Sequence, residues 1–228
     1  VLTTTWDTGV GWATFLQQST EAERQHAGEV LFRFIQGSIY RNRVFNGDPH
    51  PGNYRFHPDG TVTFLDFGLV KRWATGEFEA LLPLIDPLLD RDVDTLVTRM
   101  ADVGFLRADI QRADFKQADR GIDPDQVWEY VSRPYVPYLD DTFTFTPAFT
   151  SETLSTLLDV GGPYADVMNQ LNMPPSFVVL DRVVWGMSAL LGHLGAHNRW
   201  RAILDEYRHD GPPATELGRA EAAWRGTA

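Results

Sequence analysis

The sequence predicts a mainly helical α+β chain in which a small β-hairpin is set between two long helical regions. Three observations carry that expectation. Tyr54 to His57 and Thr61 to Leu65 are short strand-like runs closed by a Pro58-Asp59-Gly60 turn. Upstream, Val30, Leu31, Phe34, Ile35 and Ile39 recur at helical spacing. Downstream, Phe78, Leu81, Leu82, Ile85, Leu88 and Leu89 do so again.

Taken in order, Val1 to Trp6 is apolar and β-branched and reads as a short strand running into a turn at Asp7, Gly9 and Gly11. Thr20 and Glu23 form a capping-box pattern that opens an amphipathic helix from Glu21 to Arg41. After Trp73 and Gly76 the chain re-enters helix at Glu77, and Asp92 to Gly104 and Asp109 to Ala118 read as further helices with solvated charges. Val127 to Pro147 mixes aromatics with prolines and is expected to be a loop packed on the core. Met173-Pro174-Pro175 opens an apolar segment that continues to Leu194 as a buried helix. Within it Asp181 and Arg182 read as an internal ion pair, and His193 and His197 as structural histidines. Arg199 to Ala228 reads as one amphipathic helix and a polar tail.

At 228 residues and 43% hydrophobic content the chain is able to build one substantial core. A net charge of -11 and the lack of any basic run argue against nucleic-acid binding, which rests on clustered Lys and Arg, so no nucleic-acid partner is expected. With no cysteine there is neither a disulfide nor a thiolate metal site, which is compatible with a reducing cytosol. No apolar run is expected to cross a membrane, and the first residues lack the order of a signal peptide, so a cytoplasmic location, or a peripheral one at the membrane, is expected. Lys71 and Lys116 are the only lysines, which leaves few candidates for a catalytic lysine.

The stretch from Asn46 to Gly68, NGDPHPGNYRFHPDGTVTFLDFG, holds the residues a phosphotransfer site requires. One carboxylate must sit near the attacking group, and an amide oxygen with a second carboxylate must hold the magnesium that bridges nucleotide phosphates. Asp48, Asn53 five positions later and Asp66 can fill those roles in that order. Pro49, Pro51 and Gly52 favour a rigid, sharply turned loop, and the hairpin carries Asp66 back toward Asn53.

GDPHPGN followed by LDFG resembles the UbiB/AarF (ADCK-type) atypical kinase-like family, and PPSFVVLDRVVWGMSALLGHLGA resembles the segment after that family's catalytic core. Asn46-Gly47 stands where ordinary protein kinases place His-Arg before the aspartate, and the short segment after the DFG contains no Ala-Pro-Glu. The resemblance implies the C-terminal lobe of a protein-kinase-like fold. It makes Asp48 the catalytic-loop aspartate and Asn53 and Asp66 the metal ligands, with His50, Gly52, Phe67 and Gly68 supporting the loop and the nucleotide. It also implies magnesium and ATP, a link to ubiquinone and isoprenoid-lipid metabolism, and a lipid or quinone-pathway protein as partner.

On the same resemblance residues 1–228 form one lobe: 1–11 a hinge strand and turn, 12–73 the catalytic core, 74–228 a helical subdomain. An N-terminal lobe bearing the phosphate-pairing lysine is then expected before Val1, and little ATP turnover from these residues alone. Two other readings stay open. One is a non-catalytic, pseudokinase-like binding module; the other is a small-molecule phosphotransferase of the aminoglycoside or choline type, whose loop is similar.

Overall fold

In the computed structural model the described residues are 3–107, 123–173 and 175–226. The helix expected at Asp109 to Ala118, and Lys116, lie outside them. The chain opens with α1 (Trp12–Gln18) and α2 (Glu21–Gln36), the latter capped as its sequence predicts. The Thr20 N–H donates to Glu23 Oε2 at 2.7 Å and the Glu23 N–H to Thr20 Oγ1 at 3.3 Å, so two orphan donors satisfy each other. A π-helical turn, Gly37–Arg41, continues α2 to the expected end. Gly37 faces the Tyr207 ring there, where a Cβ would stand only 3.2 Å from Cε1.

Four short strands follow: β1 (Val44–Asn46), β2 (Tyr54–Phe56), β3 (Val62–Phe64) and β4 (Val70–Arg72). β2 and β3 form the predicted antiparallel hairpin with Tyr54 opposite Phe64, and Gly60 takes the left-handed φ of 83° that closes its turn. β1 pairs antiparallel with β4, Asn46 opposite Val70, a pairing that strands of three residues do not announce in sequence. Among the described residues the strand expected at Val1 to Trp6 does not form: residues 3–9 carry no regular structure, and Trp6 is 91% exposed, so no burial drives pairing. Asp7 accepts the Thr63 hydroxyl of β3 at 2.7 Å, and the chain first pairs its backbone with the hairpin at Val10, which exchanges two 2.9 Å hydrogen bonds with Phe56.

The remaining described helices are α3 (Glu77–Leu89), α4 (Val93–Asp102), α5 (Pro124–Val131), α6 (Pro147–Leu158), α7 (Ala165–Gln170), α8 (Pro175–Leu194), α9 (Trp200–Arg208) and α10 (Glu216–Gly226). α3 buries Leu84 in preference to Leu82 and contains both Pro83 and Pro87. Pro87 has no N–H, which leaves the Pro83 carbonyl without its helical donor, and the Arg99 guanidinium donates to it instead. The aromatic stretch is packed on the core as expected, with Trp128, Tyr138 and Phe145 buried. It is not a loop, however: α5, a 3₁₀ run at Arg133–Tyr138 and the short strand β5 (Phe143–Thr144) order it. β5 pairs with β6 (His197–Asn198), whose His197 ring bonds the Thr144 hydroxyl at 2.8 Å. The tail is two helices and not one, because Gly211-Pro212-Pro213 stops α9 before α10 begins.

The centre of the core is Phe32 of α2 packed at a tilt of 52° against Trp200 of α9, ring centroids 4.9 Å apart, with the Trp200 indole N–H donating to the Phe143 carbonyl at 2.9 Å. Beside it Arg33, 6% exposed, bonds Glu29 at 2.7 Å and both oxygens of Glu206 at 2.8 and 2.9 Å. Burial opposes its charge, but those carboxylates hold the Arg33 pKa above its ordinary value. α8 runs through the middle of the molecule against α2 and α6. Against the sequence expectation, its Phe177–Leu194 stretch is long and apolar enough to cross a membrane, yet half of that stretch is buried within the protein.

Candidate active site

Strand pairing alone brings the two halves of the motif together. The loop from Gly47 to Asn53 spans from β1 to β2, and Leu65 to Leu69 spans from β3 to β4. Because β1 pairs with β4 and β2 with β3, the two spans lie side by side. Three hydrogen bonds stitch them: Gly47 N–H to Leu69 O at 2.8 Å, Leu65 N–H to Asn53 O at 2.8 Å, and Asn46 Nδ2 to Asp66 O at 2.9 Å. Asn46 also accepts the Asp48 N–H on its Oδ1 at 2.9 Å, so one side chain fixes both aspartates. Sequence reading noted Asn46 only as a departure from the kinase pattern; the Asx-turn habit of Asn two residues before a fixed N–H was the available signal.

Each expected site residue has a definite setting. Asn53 ends a 3₁₀ turn, Pro51–Asn53, which His50 caps by accepting the Gly52 N–H on Nδ1 at 3.0 Å. A Cβ on Gly52 would lie 2.9 Å from that nitrogen, so glycine is what lets the His50 ring fold over the turn. The Asn53 amide nitrogen donates to the Asp48 carbonyl at 3.1 Å and to Asp48 Oδ2 at 3.4 Å, leaving its oxygen free to act as a ligand. Asp66 sits in the left-handed region, φ 55°, and accepts the Gly68 N–H on Oδ1 at 3.1 Å. A strained aspartate held in place on both sides is the kind of backbone outlier that gathers at functional positions. Phe67 projects outward, 54% exposed, beside the exposed Leu69 and Val70. The site is an open surface: neither the 400 Å³ cavity behind α8 nor a 350 Å³ cleft beside the hairpin turn includes Asp48, Asn53 or Asp66.

One contact was not foreseen. Arg182 of α8 donates to Asp48 Oδ1 at 2.7 Å, which overturns the expected pairing of Arg182 with Asp181. Successive helical residues point about 100° apart, so the two side chains of a neighbouring pair need not meet. Here Arg182 turns to the loop while Asp181 lines the cavity on the other side. Val179 and Gly186 share the loop-facing side with Arg182: Gly47 packs against Val179, and a Cβ on Gly186 would fall 2.1 Å from Pro49 Cγ. Tyr54, buried next to the loop, has its phenol pKa pushed up to about 12 by burial and then by the Asp48 charge.

The Gly186 contact gives a direct test of how the loop is seated. Gly186→Ala should cost about 1–3 kcal/mol by urea unfolding, the usual penalty for overfilling a closed contact. Gly226→Ala, where a Cβ meets nothing within 4 Å, should be neutral or stabilising.

The donor set suits magnesium: hard oxygens from an amide and a carboxylate, few in number and open to water on one side. Asp48, tied to Arg182 and Asn53, is left beside that pair and not needed as a ligand.

A mainly helical fold with small sheets, this hairpin and this loop is a kinase-like fold. Residues 1–100 match the family model of the ABC1 atypical kinase-like domain, which bears out the resemblance read from the motifs. The protein sll0005 of Synechocystis is 28% identical over 110 residues, covering 48% of this chain and 16% of its own. Protein ACTIVITY OF BC1 COMPLEX KINASE 3, chloroplastic, of Arabidopsis thaliana is 26% identical over 141 residues, covering 60% of this chain and 17% of its own. The structure of Rv3197 from Mycobacterium tuberculosis, solved in complex with erythromycin, superposes with a TM-score of 0.67 at 23% identity over 89% of this chain and 48% of that one. The matched region thus spans less than a fifth of these two curated relatives and about half of the solved chain.

Proposed function

We propose that this chain supplies the magnesium-holding half of an ATP-dependent atypical kinase or ATPase. The observation that carries the reading is the side-by-side placement of the Asp48–Asn53 loop and the Asp66 turn, with Asn53 presenting its amide oxygen and Asp66 its carboxylate. Asn53 and Asp66 would hold the magnesium, which would supply positive charge to neutralise the nucleotide phosphates. Asp48 stands ready to orient or deprotonate the attacking hydroxyl or water. His50, Gly52 and Gly68 fix the turns, and Phe67 offers an apolar surface to the nucleotide side.

Phosphoryl transfer depends on positioning and charge stabilisation from several directions. Lys71 lies on β4, after the loop, and reaches Glu77 at 3.3 Å, so it is not placed to clamp a phosphate from across the site. A covering lobe with its own lysine completes the reading, and residues 1–228 alone are expected to turn over ATP slowly or not at all. A role in quinone or isoprenoid-lipid chemistry, a partner from such a pathway, and a place in the cytosol or at a membrane surface belong to the same proposal.

A specific observation favours a second reading, a nucleotide-binding module without turnover: Arg182 occupies one oxygen of Asp48 at 2.7 Å, which leaves that oxygen less accessible to an attacking hydroxyl. Asp48→Asn in the full-length gene product separates the two. If Asp48 acts in the transition state, kcat should fall by about 10²–10⁴-fold with magnesium-ATP affinity nearly unchanged. Wild-type protein that binds magnesium-ATP and shows no turnover for the variant to lose would establish the module instead.

A further inference from the structure

On the side of α8 away from the catalytic loop lies a cavity of about 400 Å³, bounded by α3, α4, α5, α6, α7 and α8. Its volume falls in the range of small-molecule sites. The lining is leucine, isoleucine, methionine and aromatic side chains, and Leu158 and Met173, 71% and 48% exposed, mark its mouth. Asp181 is the only charged residue among the described lining residues. Among the described residues its carboxylate takes no hydrogen bond or ion pair: the adjacent Arg182 is spent on Asp48 and the Tyr130 hydroxyl donates to the Leu157 carbonyl at 3.0 Å. Burial pushes its pKa up to about 6.

A lone carboxylate in an apolar wall costs free energy that a salt-bridged or neutral group would not. Packing does not demand it, since a leucine would fill the position. What compensates such a group is a cation delivered together with apolar surface. We propose that this cavity is a binding site for a small apolar molecule carrying one protonated amine, with its hydrocarbon body against α3, α6 and α8 and its ammonium on the Asp181 carboxylate. The site is separate from the phosphotransfer loop and does not depend on how that loop is read. A fatty acid of the same shape is disfavoured by like charge, and an alcohol leaves the carboxylate uncompensated.

Calorimetric titration of the purified chain with n-decylamine, 1-decanol and decanoate at neutral pH tests this. Wild-type protein should bind decylamine at least about tenfold more tightly than decanol, as a partly desolvated charge pair requires, and decanoate least. Asp181→Asn, close in shape and free of the buried charge, should keep decanol binding and lose the preference for the amine. Leu84→Trp, which fills the cavity, should weaken both, and far-UV circular dichroism checks that each variant is folded. The proposal is overturned if amine and alcohol bind wild type alike, if no probe binds, or if Asp181→Asn leaves the amine preference intact, the mark of general attraction to an acidic surface.

Discussion

Asp66→Asn should abolish magnesium-dependent nucleotide binding while leaving the fold in place. The second half of that expectation matters as much as the first. Asp66 occupies the left-handed region at φ 55°, which most residues resist, but asparagine tolerates it nearly as well as aspartate. Its amide oxygen can still accept the Gly68 N–H that closes the turn at 3.1 Å. What changes is one negative charge on a hard divalent cation that accepts few protein ligands. Since even an outer-shell partner of a metal is worth roughly 10–100-fold in affinity, loss of a directly ligating carboxylate should cost more than that. Titration of ATP into the full-length gene product, with magnesium and with chelator, reads the effect. Unchanged magnesium-dependent affinity in the variant removes Asp66 from the role.

The second large effect is structural. Arg33→Met should lower stability by about 3–5 kcal/mol, the range for breaking a buried charge cluster from one side. Arg33 is 6% exposed and is shared by Glu29 at 2.7 Å, Glu206 at 2.8 Å and Glu221 at 3.4 Å, with the Thr215 hydroxyl also bonded at 2.9 Å. Take the guanidinium away and Glu206, only 3% exposed, is left as an uncompensated charge in the core. The cluster also ties α10 to α2 and α9: Gly218 approaches so closely that a Cβ there would stand 2.5 Å from the Arg33 guanidinium. For a chain of this length the loss corresponds to about 6–20 °C in Tm. Adding Glu206→Gln should restore part of it, because a buried amide is cheaper than a buried, unpaired carboxylate. A loss below about 1 kcal/mol in the single variant would mean that solvent reaches the cluster and screens it.

How much of this was legible beforehand follows from the range of each signal. The start of α2 and the helical run to Arg41 were readable because a capping box and a 3.6-residue repeat are local, though the switch to a π-helical turn at Gly37 was not, and the β2–β3 hairpin was readable because its turn carries Asp and Gly in sequence. The β1–β4 pair was not: strands of three residues lie below the length at which alternation means anything, and their pairing joins segments 24 residues apart at Asn46 and Val70. Gly211-Pro212-Pro213 did announce the break between α9 and α10 and was passed over. Within the site, Asp48, Asn53 and Asp66 stood out by spacing, whereas Arg182 could not be linked to Asp48 without knowing how α8 is rotated across 134 residues of intervening chain. The same rotation decides that Asp181 faces a cavity, so two adjacent residues that looked like one ion pair serve two different surfaces.

The central claim is that Asn53 and Asp66 hold one divalent cation beside Asp48, and paramagnetic broadening by manganese tests it most directly. Manganese added in substoichiometric amounts with a non-hydrolysable ATP analogue to ¹⁵N-labelled protein should first erase the amide signals of residues 46–53 and 65–68. Asp66→Asn should abolish that pattern and leave the rest of the spectrum unchanged. Broadening spread over the acidic surface, or centred elsewhere and indifferent to Asp66→Asn, would contradict the account.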